Sequence, residues 1–306
     1  VSAGGARDRG SAVLTAPLVH APQPRPGACW LLDAHVLLHR YHHAAGVEMH
    51  KGKQVHAVRG LARLVTKIRE QHQPHAMALV FDAPNSSCSG RRVLLPSYKA
   101  NRKPTPPELL EQIEMARAWM PARYGCDAIR VDDFEADDVI AALALSARKA
   151  GYSVCLSTTD KDLYALISDE DPPIAVYNKA TGKGCQGWRL YTEADVRDRF
   201  GVAPNRLLDW LALVGDDSDN VPGVPGIGEK TAAELLRQYG DLHTLLSLSS
   251  SVKQERTRLA LREHGPVIKS IRKLLDPVDV PPDLLRRGIH AARPVLSSDP
   301  RASAHP

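Results

Sequence analysis

Aromatic residues are scarce in this chain, and several common site patterns are missing from it. Only 15 of the 306 residues are Phe, Trp or Tyr, so extensive stacking of bases on the protein surface is not expected. The five cysteines are widely spaced and form no C-x-x-C pair, which argues against a disulfide framework and a zinc site and fits a reducing compartment. The sequence contains no run of 18 apolar residues, so no membrane span is predicted. A Walker loop and a Ser/His/Asp or Cys/His catalytic pattern are also missing.

The distribution of charge is more informative than its sum. Lys and Arg number 40 against 35 Asp and Glu, a formal net charge of +5. Residues 127–138 hold six acids and one arginine, whereas residues 83–107 hold five basic residues and no acid. Taken alone, the acidic segment fits a helix start, where the helix dipole tolerates anions. Acids at this density repel one another unless cations neutralise them, and a basic segment suits a polyanionic partner.

The two ends of the chain differ in composition from its middle. Residues 1–28 are rich in Ala, Pro, Gly and Arg, contain a single acid and show no hydrophobic period, which predicts a disordered leader. The tail at 291–306 is predicted to be disordered as well. An acid-poor leader is compatible with an organellar transit sequence and equally with an extension of no consequence. The compartment therefore stays open between the bacterial cytoplasm and a plastid or mitochondrion.

Between the ends, short apolar runs alternate with stretches of 3.6-residue hydrophobic period. This alternation predicts an α/β domain over residues 29–190, with a mostly parallel central sheet flanked by helices. From about Thr192 the pattern becomes helical, which predicts a second, helical subdomain over residues 191–290. The predicted strands are residues 29–33, 76–82, 128–131, 152–156 and 174–177.

Carboxylates follow several of the predicted strands directly. Because the carboxyl ends of parallel strands meet at one edge of a sheet, these acids are expected to lie together. Hard divalent cations such as Mg²⁺ need oxygen ligands, and two such ions about 4 Å apart can clamp the attacking and leaving oxygens of a phosphodiester. The acids of this constellation come from five segments: Asp33, Asp82, Glu135, Asp137, Asp138, Asp160, Asp162, Asp216 and Asp219.

Six motifs, in this order, resemble those of the 5′-nuclease family of 5′→3′ exonucleases and flap endonucleases. The likeness spans roughly residues 29–245 and is strongest to the N-terminal nuclease domain of bacterial DNA polymerase I and its small stand-alone relatives. The motifs are Leu31-Leu-Asp33, Val80-Phe-Asp82, Tyr98-Lys-Ala-Asn-Arg102, Glu135-Ala-Asp-Asp138, Ser157-Thr-Thr-Asp160-Lys-Asp162 and the Gly-Asp-x-Ser-Asp-Asn stretch at 215–220 with its Gly/Pro hairpin.

The resemblance implies a fold of the PIN-like 5′-nuclease type with a helix-hairpin-helix-type subdomain, and it implies a two-metal site. Mg²⁺ is the expected ion, with Mn²⁺ as a substitute and K⁺ as a candidate ion at the Gly/Pro hairpin. Asp138 would lie between the two metals. The first metal would be held by Asp33, Asp82, Glu135 and Asp137, and the second by Asp160, Asp162, Asp216 and Asp219.

The resemblance also implies how the protein, as a monomer, would hold DNA with a 5′ end, a flap or a nick. Residues 83–107 resemble a short helical arch, in which Lys99 would contact the scissile phosphate, and Arg40 resembles another catalytic phosphate contact. Phosphate contacts of this kind position DNA without reading its sequence. The remaining DNA-binding residues would be Arg91, Arg92, Arg102 and Lys103 in the arch, and Gly223, Gly226, Gly228 and Lys230 in the hairpin.

The sequence departs from the family pattern after the first acid. Ala34 and His35 stand where a glycine and a small hydroxyl residue are usual, and Leu37 and His39 stand where aromatic residues are common. Stacking on a DNA end is therefore expected to differ from that of the family.

Together these features predict a divalent-metal-dependent, structure-specific 5′→3′ exonuclease or 5′-flap endonuclease in DNA replication or repair. Two alternatives stay open. A PIN-like ribonuclease would share the acid-lined α/β site, but the basic segment and the hairpin disfavour it. A non-catalytic protein that binds branched DNA is disfavoured by nine intact acids.

Overall fold

A computed structural model describes residues 27–44, 46–83, 88–180 and 187–290, without the side chains of 88–89 and 286–290. The predicted disordered ends fall outside these residues, apart from Gly27 and Ala28. The strands of the described chain are β1 (Cys29–Asp33), β2 (Met49–His50), β3 (Lys53–Gln54), β4 (Ala76–Val80), β5 (Asp127–Ile129), β6 (Val154–Ser157), β7 (Ile174–Lys179), β8 (Trp188–Tyr191) and β9 (Ile289–His290). The helices are α1 (Ala34–Ala44), α2 (His56–His72), α3 (Cys88–Leu94), α4 (Pro107–Tyr124), α5 (Ala136–Lys149), α6 (Glu193–Phe200), α7 (Leu207–Val214), α8 (Glu229–Tyr239), α9 (Leu242–Ser247), α10 (Glu255–Leu275) and α11 (Pro282–Gly288).

Seven strands form one sheet in the order β8-β7-β6-β1-β4-β5-β9. The five central strands pair in parallel, and β8 and β9 are antiparallel edge strands. The predicted mostly parallel sheet with flanking helices is therefore confirmed. The edge strands and the separate β2–β3 hairpin were not predicted, because strands of two to four residues are too short to show a hydrophobic period.

The central strand β1 is buried on both faces, which accounts for its unbroken apolar sequence. Trp30 and Leu32 pack into a core with α1, α2 and α4 on one face of the sheet. Leu31 points to the opposite face and packs into a core that includes α5, α7 and α10. The C-terminal helices thus share a continuous core with one face of the sheet, and this core fixes their position relative to the strand ends.

The carboxyl ends of β4, β1 and β6 lie side by side, because these three strands are adjacent and parallel. Asp33 is in register with Val80, which is followed two residues later by Asp82. Leu32 is in register with Ser157, shortly before Asp160. The topology therefore collects acids that are more than 120 residues apart in the chain (Asp33 to Asp160) at one edge of the sheet.

The C-terminal region contains the longest helix, α10, with 21 residues. Arg272 of this helix donates from Nε to Asp209 Oδ1 of α7 at 2.6 Å, and the Asp209 carboxylate also accepts the Leu242 N–H at 3.2 Å. This buried carboxylate joins α7, α9 and α10. Across the described ranges, no helix combines the length and the apolar composition that a membrane span requires.

We expect Gly60→Ala to destabilise the protein by about 1–3 kcal/mol, because helices α1 and α2 cross too closely there for a larger residue. A Cβ atom at Gly60 would lie 2.4 Å from Tyr41 Cγ. Gly90→Ala in α3 is the matched control: nothing lies within 4 Å of its Cβ position, so the variant should be stabilised by up to about 1 kcal/mol. Urea unfolding measures both values, and equal stability of the two variants would contradict this packing.

Candidate functional site

Backbone N–H groups and a hydroxyl hold the first two carboxylates at the sheet edge. The Asp33 carboxylate is buried, accepts the Val36 N–H at 3.1 Å and accepts the Thr158 hydroxyl at 3.0 Å. Asp82 Oδ1 accepts the N–H of Ala136, the first residue of α5, at 2.7 Å. Unpaired N–H groups at helix starts are natural partners for carboxylates, so α1 and α5 orient the two acids.

Burial and mutual repulsion raise the pKa values of several carboxyl groups here. Burial, followed by the charge of Asp82, raises the pKa of Asp33 to about 7. Burial and the charges of Asp160 and Asp33 raise the pKa of Asp137 well above its usual range. Burial raises the pKa of Asp160, and burial with the Asp160 charge raises that of Asp162. These carboxylates cannot all be ionised at neutral pH without added positive charge.

The electrostatic couplings divide the acids into two sets that share Asp160. The Asp160 charge acts on members of both sets. The first set comprises Asp33, Asp82 and Asp137, and the second comprises Asp162, Asp216 and Asp219.

The basic residues of the arch reach into the acidic cluster. Lys99 Nζ lies 2.9 Å from Glu135 Oε2 and 3.8 Å from Asp219 Oδ2. The Arg102 guanidinium pairs with the Asp219 carboxylate, and the Tyr98 hydroxyl lies 3.4 Å from Glu135 Oε2 and 3.3 Å from Asp219 Oδ2. The Lys99 N–H also donates to the Asp219 carbonyl at 2.9 Å. The structure thus brings the predicted arch lysine and the predicted metal carboxylates together. Tyr98 and Thr158 lie within the quoted motifs, but the sequence analysis assigned neither of them a role.

The donor atoms of the cluster fit a hard divalent cation, because they are mainly carboxylate oxygens. Asp162 Oδ1 is buried without a hydrogen-bond partner, an arrangement that a cation would relieve. Over the described ranges, no three His, Cys, Asp or Glu side chains form a preformed metal centre. Ion pairs such as Lys161 Nζ to Asp216 Oδ1, at 2.9 Å, engage several of the acids instead. Cation binding therefore competes with these ion pairs.

Arg40 is directed away from the acids and towards the edge of the sheet. Its Nη1 donates to Asn178 Oδ1 at 3.0 Å, and its guanidinium lies over the Trp188 ring, 5.4 Å from the centroid. The Asn178 amide donates to the hydroxyl of Tyr164 at 3.1 Å, and Tyr164 follows Asp162 by two residues in the chain. These contacts place Arg40 against Asn178 and Trp188, and its predicted contact with a phosphate stays a prediction.

Arg91 does not face solvent, contrary to its predicted DNA contact. Only 8% of its surface is exposed, and its guanidinium donates to the carboxylates of Glu135 and Asp138 and to the Leu274 carbonyl. The prediction of a DNA contact by Arg91 is wrong because these partners occupy its donors. The neighbouring Arg92 is exposed, so its predicted DNA contact stays a prediction, as does that of the exposed Lys103.

The local geometry around the hairpin glycines differs from one glycine to the next. A Cβ atom at Gly223 would lie 2.0 Å from the Val214 carbonyl oxygen, so close approach of the chain to itself requires glycine there. Gly226 has a φ of +82°, which favours glycine. Gly228 immediately precedes α8, and nothing lies within 4 Å of its Cβ position, so its backbone is open to a ligand. Lys230 is exposed in the first turn of α8. The predicted phosphate contacts of the hairpin stay predictions.

A row of histidines lies along α1 next to Asp82. His35 Nδ1 is 3.7 Å from Asp82 Oδ2, and the ring centroid of His39 is 5.1 Å from that of His35 and 6.2 Å from that of His43. Burial, with the neighbouring histidines, lowers the pKa of His39 to about 4, so this ring is neutral at pH 7. Leu37 is fully buried and therefore presents no stacking surface.

Comparison with protein families identifies the class of protein that this fold and this acidic site define. Residues 28–201 match the family described as "5'-3' exonuclease, N-terminal resolvase-like domain", and residues 202–282 match "5'-3' exonuclease, C-terminal SAM fold". The chain belongs to the 5′-3′ exonuclease family, whose members are phosphodiester hydrolases. The predicted family and enzyme class are thereby confirmed. The two matches meet between residues 201 and 202, whereas the sequence pattern placed the boundary after residue 190.

Among curated proteins, the chain is similar to bacterial DNA polymerases. It is 37% identical to DNA polymerase I of Bacillus caldotenax over 228 residues. These residues make up 74% of this chain and 25% of that protein. It is 38% identical over 239 residues to the thermostable DNA polymerase I of Thermus thermophilus, 78% of this chain and 27% of that protein. The chain thus spans about a quarter of the length of these relatives.

Solved structures with a similar fold include viral and other nucleases. T5 5′-exonuclease with bound zinc has a TM-score of 0.70 at 18% identity, covering 85% of this chain and 96% of that chain. The bacteriophage T5 D15 flap endonuclease in a pseudo-enzyme-product complex with DNA and metal ions has a TM-score of 0.64 at 19% identity. The match covers 81% of this chain and 88% of that chain. The Rad2 catalytic core with DNA substrate has a TM-score of 0.53 at 13% identity, covering 83% and 80%. At these identities the structures establish the fold.

We expect Mn²⁺ to stabilise the protein more at about pH 7.5 than at about pH 5.5, because a bound cation must displace protons from carboxyl groups with raised pKa values. The pKa of Asp33 is about 7 in the metal-free fold and about 3.9 in the unfolded chain. The contribution of protonated Asp33 to the stability of the metal-free fold is therefore complete below a pH of about 3.9 and is lost as the pH rises through about 7. The difference in melting temperature between Mn²⁺ and EDTA, measured at both pH values, tests this expectation. Asp33→Asn should flatten the pH dependence, and an equal difference at both pH values in the unmodified protein would contradict it.

Proposed function

We propose that this chain is a structure-specific 5′ nuclease that depends on divalent metal and cleaves DNA at 5′ ends, flaps or nicks in replication or repair. The observation that carries the proposal is the cluster of buried carboxylates at the ends of adjacent parallel strands, into which Lys99 and Arg102 of the basic segment reach. Repelling acids of this kind, next to a basic segment and within a 5′-3′ exonuclease family fold, suit two cations and a phosphodiester. Because the chain spans about a quarter of the length of these relatives, the proposal concerns nuclease activity alone.

The two sets suggest which residues would hold the ions. Mg²⁺ is the proposed ion, with Mn²⁺ as a substitute and K⁺ as a candidate at the Gly/Pro hairpin. When bound, the metal ions would supply a nucleophilic water and neutralise charge on the phosphate. Glu135 would join the first set, at the start of α5. The first ion would be held by Asp33, Asp82, Glu135 and Asp137, and the second by Asp160, Asp162, Asp216 and Asp219.

The arch side chains are the groups of this chain best placed to bind the substrate. Lys99 Nζ lies between carboxylates of Glu135 and Asp219, at the centre of the acidic cluster. Neutralisation of these acids by cations would release the ammonium group to contact a phosphate oxygen, as in charge stabilisation by a fixed lysine. Arg102 has half of its side chain exposed, and together with exposed Lys103 it can extend this positive surface along a strand.

The hairpin before α8 would hold the duplex part of the substrate. The backbone at Gly228 is open, and the positive end of the α8 dipole lies beside it, an arrangement that favours a phosphate group. Exposed Lys230 adds positive charge at the same place. Such contacts carry no sequence information, which suits an enzyme that reads DNA structure. We further propose that the protein acts as a monomer, which size-exclusion chromatography with light scattering would test.

Cleavage of 5′-flap, nicked and single-stranded DNA, with Mg²⁺ or with EDTA, tests the proposed function directly. We expect Mg²⁺-dependent cleavage at the 5′ side, and a loss of about 1000-fold in Asp137→Asn because a carboxylate of the first set is neutralised. Asp132→Asn is the matched control, since Asp132 lies in the same acidic segment but is exposed outside both sets. Cleavage in EDTA, or undiminished cleavage by Asp137→Asn, would overturn the metal-dependent mechanism.

A further inference from the structure

The buried guanidinium of Arg91 makes an unusually complete set of contacts. Its Nη1 donates to Glu135 Oε2 at 2.8 Å and to Asp138 Oδ2 at 3.0 Å, and its Nη2 donates to Asp138 Oδ1 at 2.6 Å. Its Nε donates to the Leu274 carbonyl at 3.1 Å. Two parallel bonds to one carboxylate are the strongest and most directional arrangement that arginine forms. The orientation of the Arg91 side chain is therefore fixed.

Asp138 is engaged by these contacts on both of its oxygens. The residue is 2% exposed, both Oδ atoms accept from Arg91, and Oδ1 also accepts the Val278 N–H at 2.8 Å. Its neighbour Asp137 couples instead to Asp160 and Asp33 of the carboxylate cluster. Consecutive positions of a helix lie about 100° apart around its axis, so the contacts of Asp138 do not extend to Asp137.

Three distant parts of the chain meet at Arg91. The arginine belongs to α3 in the arch, its carboxylate partners lie at the start of α5, and Leu274 and Val278 lie at and after the end of α10. Eight residues after Arg91 the chain reaches Lys99, the arch residue within the acidic cluster. The contacts of Arg91 therefore determine where the first part of the arch stands relative to the metal carboxylates and to the C-terminal helices.

A second set of contacts holds the other end of this arch segment. The Asn220 amide donates to the Ser97 carbonyl at 2.7 Å, and the Asn101 amide donates to the Asp217 carbonyl at 2.8 Å. These bonds attach the turn that contains Lys99 to the loop between α7 and α8. The segment from Arg91 to Asn101 is thus hydrogen-bonded to the rest of the protein near both ends, with Leu94 and Leu95 packed against the core between them. Loss of the Arg91 contacts would leave only the apolar packing at its first end.

The charge of Arg91 is as well defined as its position. Burial lowers the pKa of the guanidinium, but the hydrogen bonds and charge of Asp138 and the charge of Glu135 outweigh burial and raise the pKa above its usual value. Removal of the arginine would leave the buried Asp138 carboxylate without its counter-charge, whereas Glu135 would keep that of Lys99.

We propose that Arg91 is a positioning residue that fixes the basic arch beside the metal carboxylates, and that Asp138 holds Arg91 and is not a metal ligand. This inference rests on the proposed nuclease function for its kinetic consequences, and it revises the predicted place of Asp138 between the two metals. Both Asp138 oxygens accept from a guanidinium that is only 9% exposed, and Oδ1 also accepts a backbone N–H. The cationic partners of Asp216 and Asp219 are instead Lys161 and Arg102, whose side chains are 30% and 49% exposed and can be displaced by a cation. The metal set then comprises eight acids, and Asp138 acts on the reaction through the arch.

Neutralisation of the two adjacent acids separates these roles. In Asp138→Asn the amide oxygen can still accept from Arg91 and Val278, so Mn²⁺ affinity, measured by calorimetry, should weaken by at most about tenfold. Asp137→Asn removes a proposed ligand and should weaken Mn²⁺ binding by about 100-fold or more. An equal loss of Mn²⁺ affinity in the two variants would overturn the assignment of Asp138.

Replacement of the arginine tests the positioning role. In Arg91→Met we expect single-turnover flap cleavage to fall by about 100-fold at saturating Mg²⁺, because the arch is misplaced, while Mn²⁺ affinity is not weakened. Hydrogen exchange over residues 90–104 should become faster, with little change in the core strands. Arg91→Lys restores charge without the bidentate geometry and should recover only part of the cleavage rate. Arg262→Met, an exposed arginine on α10, is the matched control and should behave like the unmodified protein.

The outcomes separate this inference from the proposed function. If the unmodified protein does not cleave flap DNA, the proposed function fails, while the Mn²⁺ affinities and the hydrogen exchange of the arch still decide the roles of Asp138 and Arg91. Unchanged exchange over residues 90–104 in Arg91→Met, together with unchanged cleavage by the folded fraction, would overturn the positioning role.

Discussion

Repulsion between carboxylates at the ends of the central strands is the interaction on which the site depends. Adjacent parallel strands bring Asp33 and Asp82 together, and the next strand adds Asp160. Because burial deprives these groups of water, their charges raise one another's pKa values, to about 7 for Asp33. A fold that collects acids in this way is stable only with added positive charge, from protons, basic side chains or bound cations.

The arch supplies that positive charge in three ways, which gives its arginines and lysines different functions. Lys99 lies within the cluster, where cations can displace it and leave it available to a phosphate. Arg102 pairs with an acid but keeps half of its side chain exposed, and can exchange that partner for DNA. Arg91 is buried and bound to Asp138, so its charge organises the protein and is not offered to the substrate. The net charge of +5 is thus the sum of opposed fields that are in direct contact.

The strand-end acids could be predicted from the sequence, because an apolar run that ends in Asp places that residue at the edge of a parallel sheet. The role of Arg91 could not, because Arg91 and Arg92 are neighbours in the same helix and only packing against the start of α5 and the end of α10, 44 and 183 residues away, buries one of them. Gly223 was similarly predicted to approach a phosphate, whereas its closest contact is the Val214 carbonyl within its own loop. Local patterns predict chemistry that is shared by a segment, and tertiary packing decides which member of the segment performs it.

Anomalous diffraction from crystals soaked in Mn²⁺ would locate the ions directly. We expect two peaks at the carboxyl ends of β4, β1 and β6, one bounded by the Asp33 and Asp137 carboxylates and the other by those of Asp162 and Asp219. We also expect Asp138 to remain bound to Arg91 in the metal-loaded protein. A peak coordinated by Asp138, or no bound Mn²⁺ among these acids, would contradict this assignment of the metal ligands.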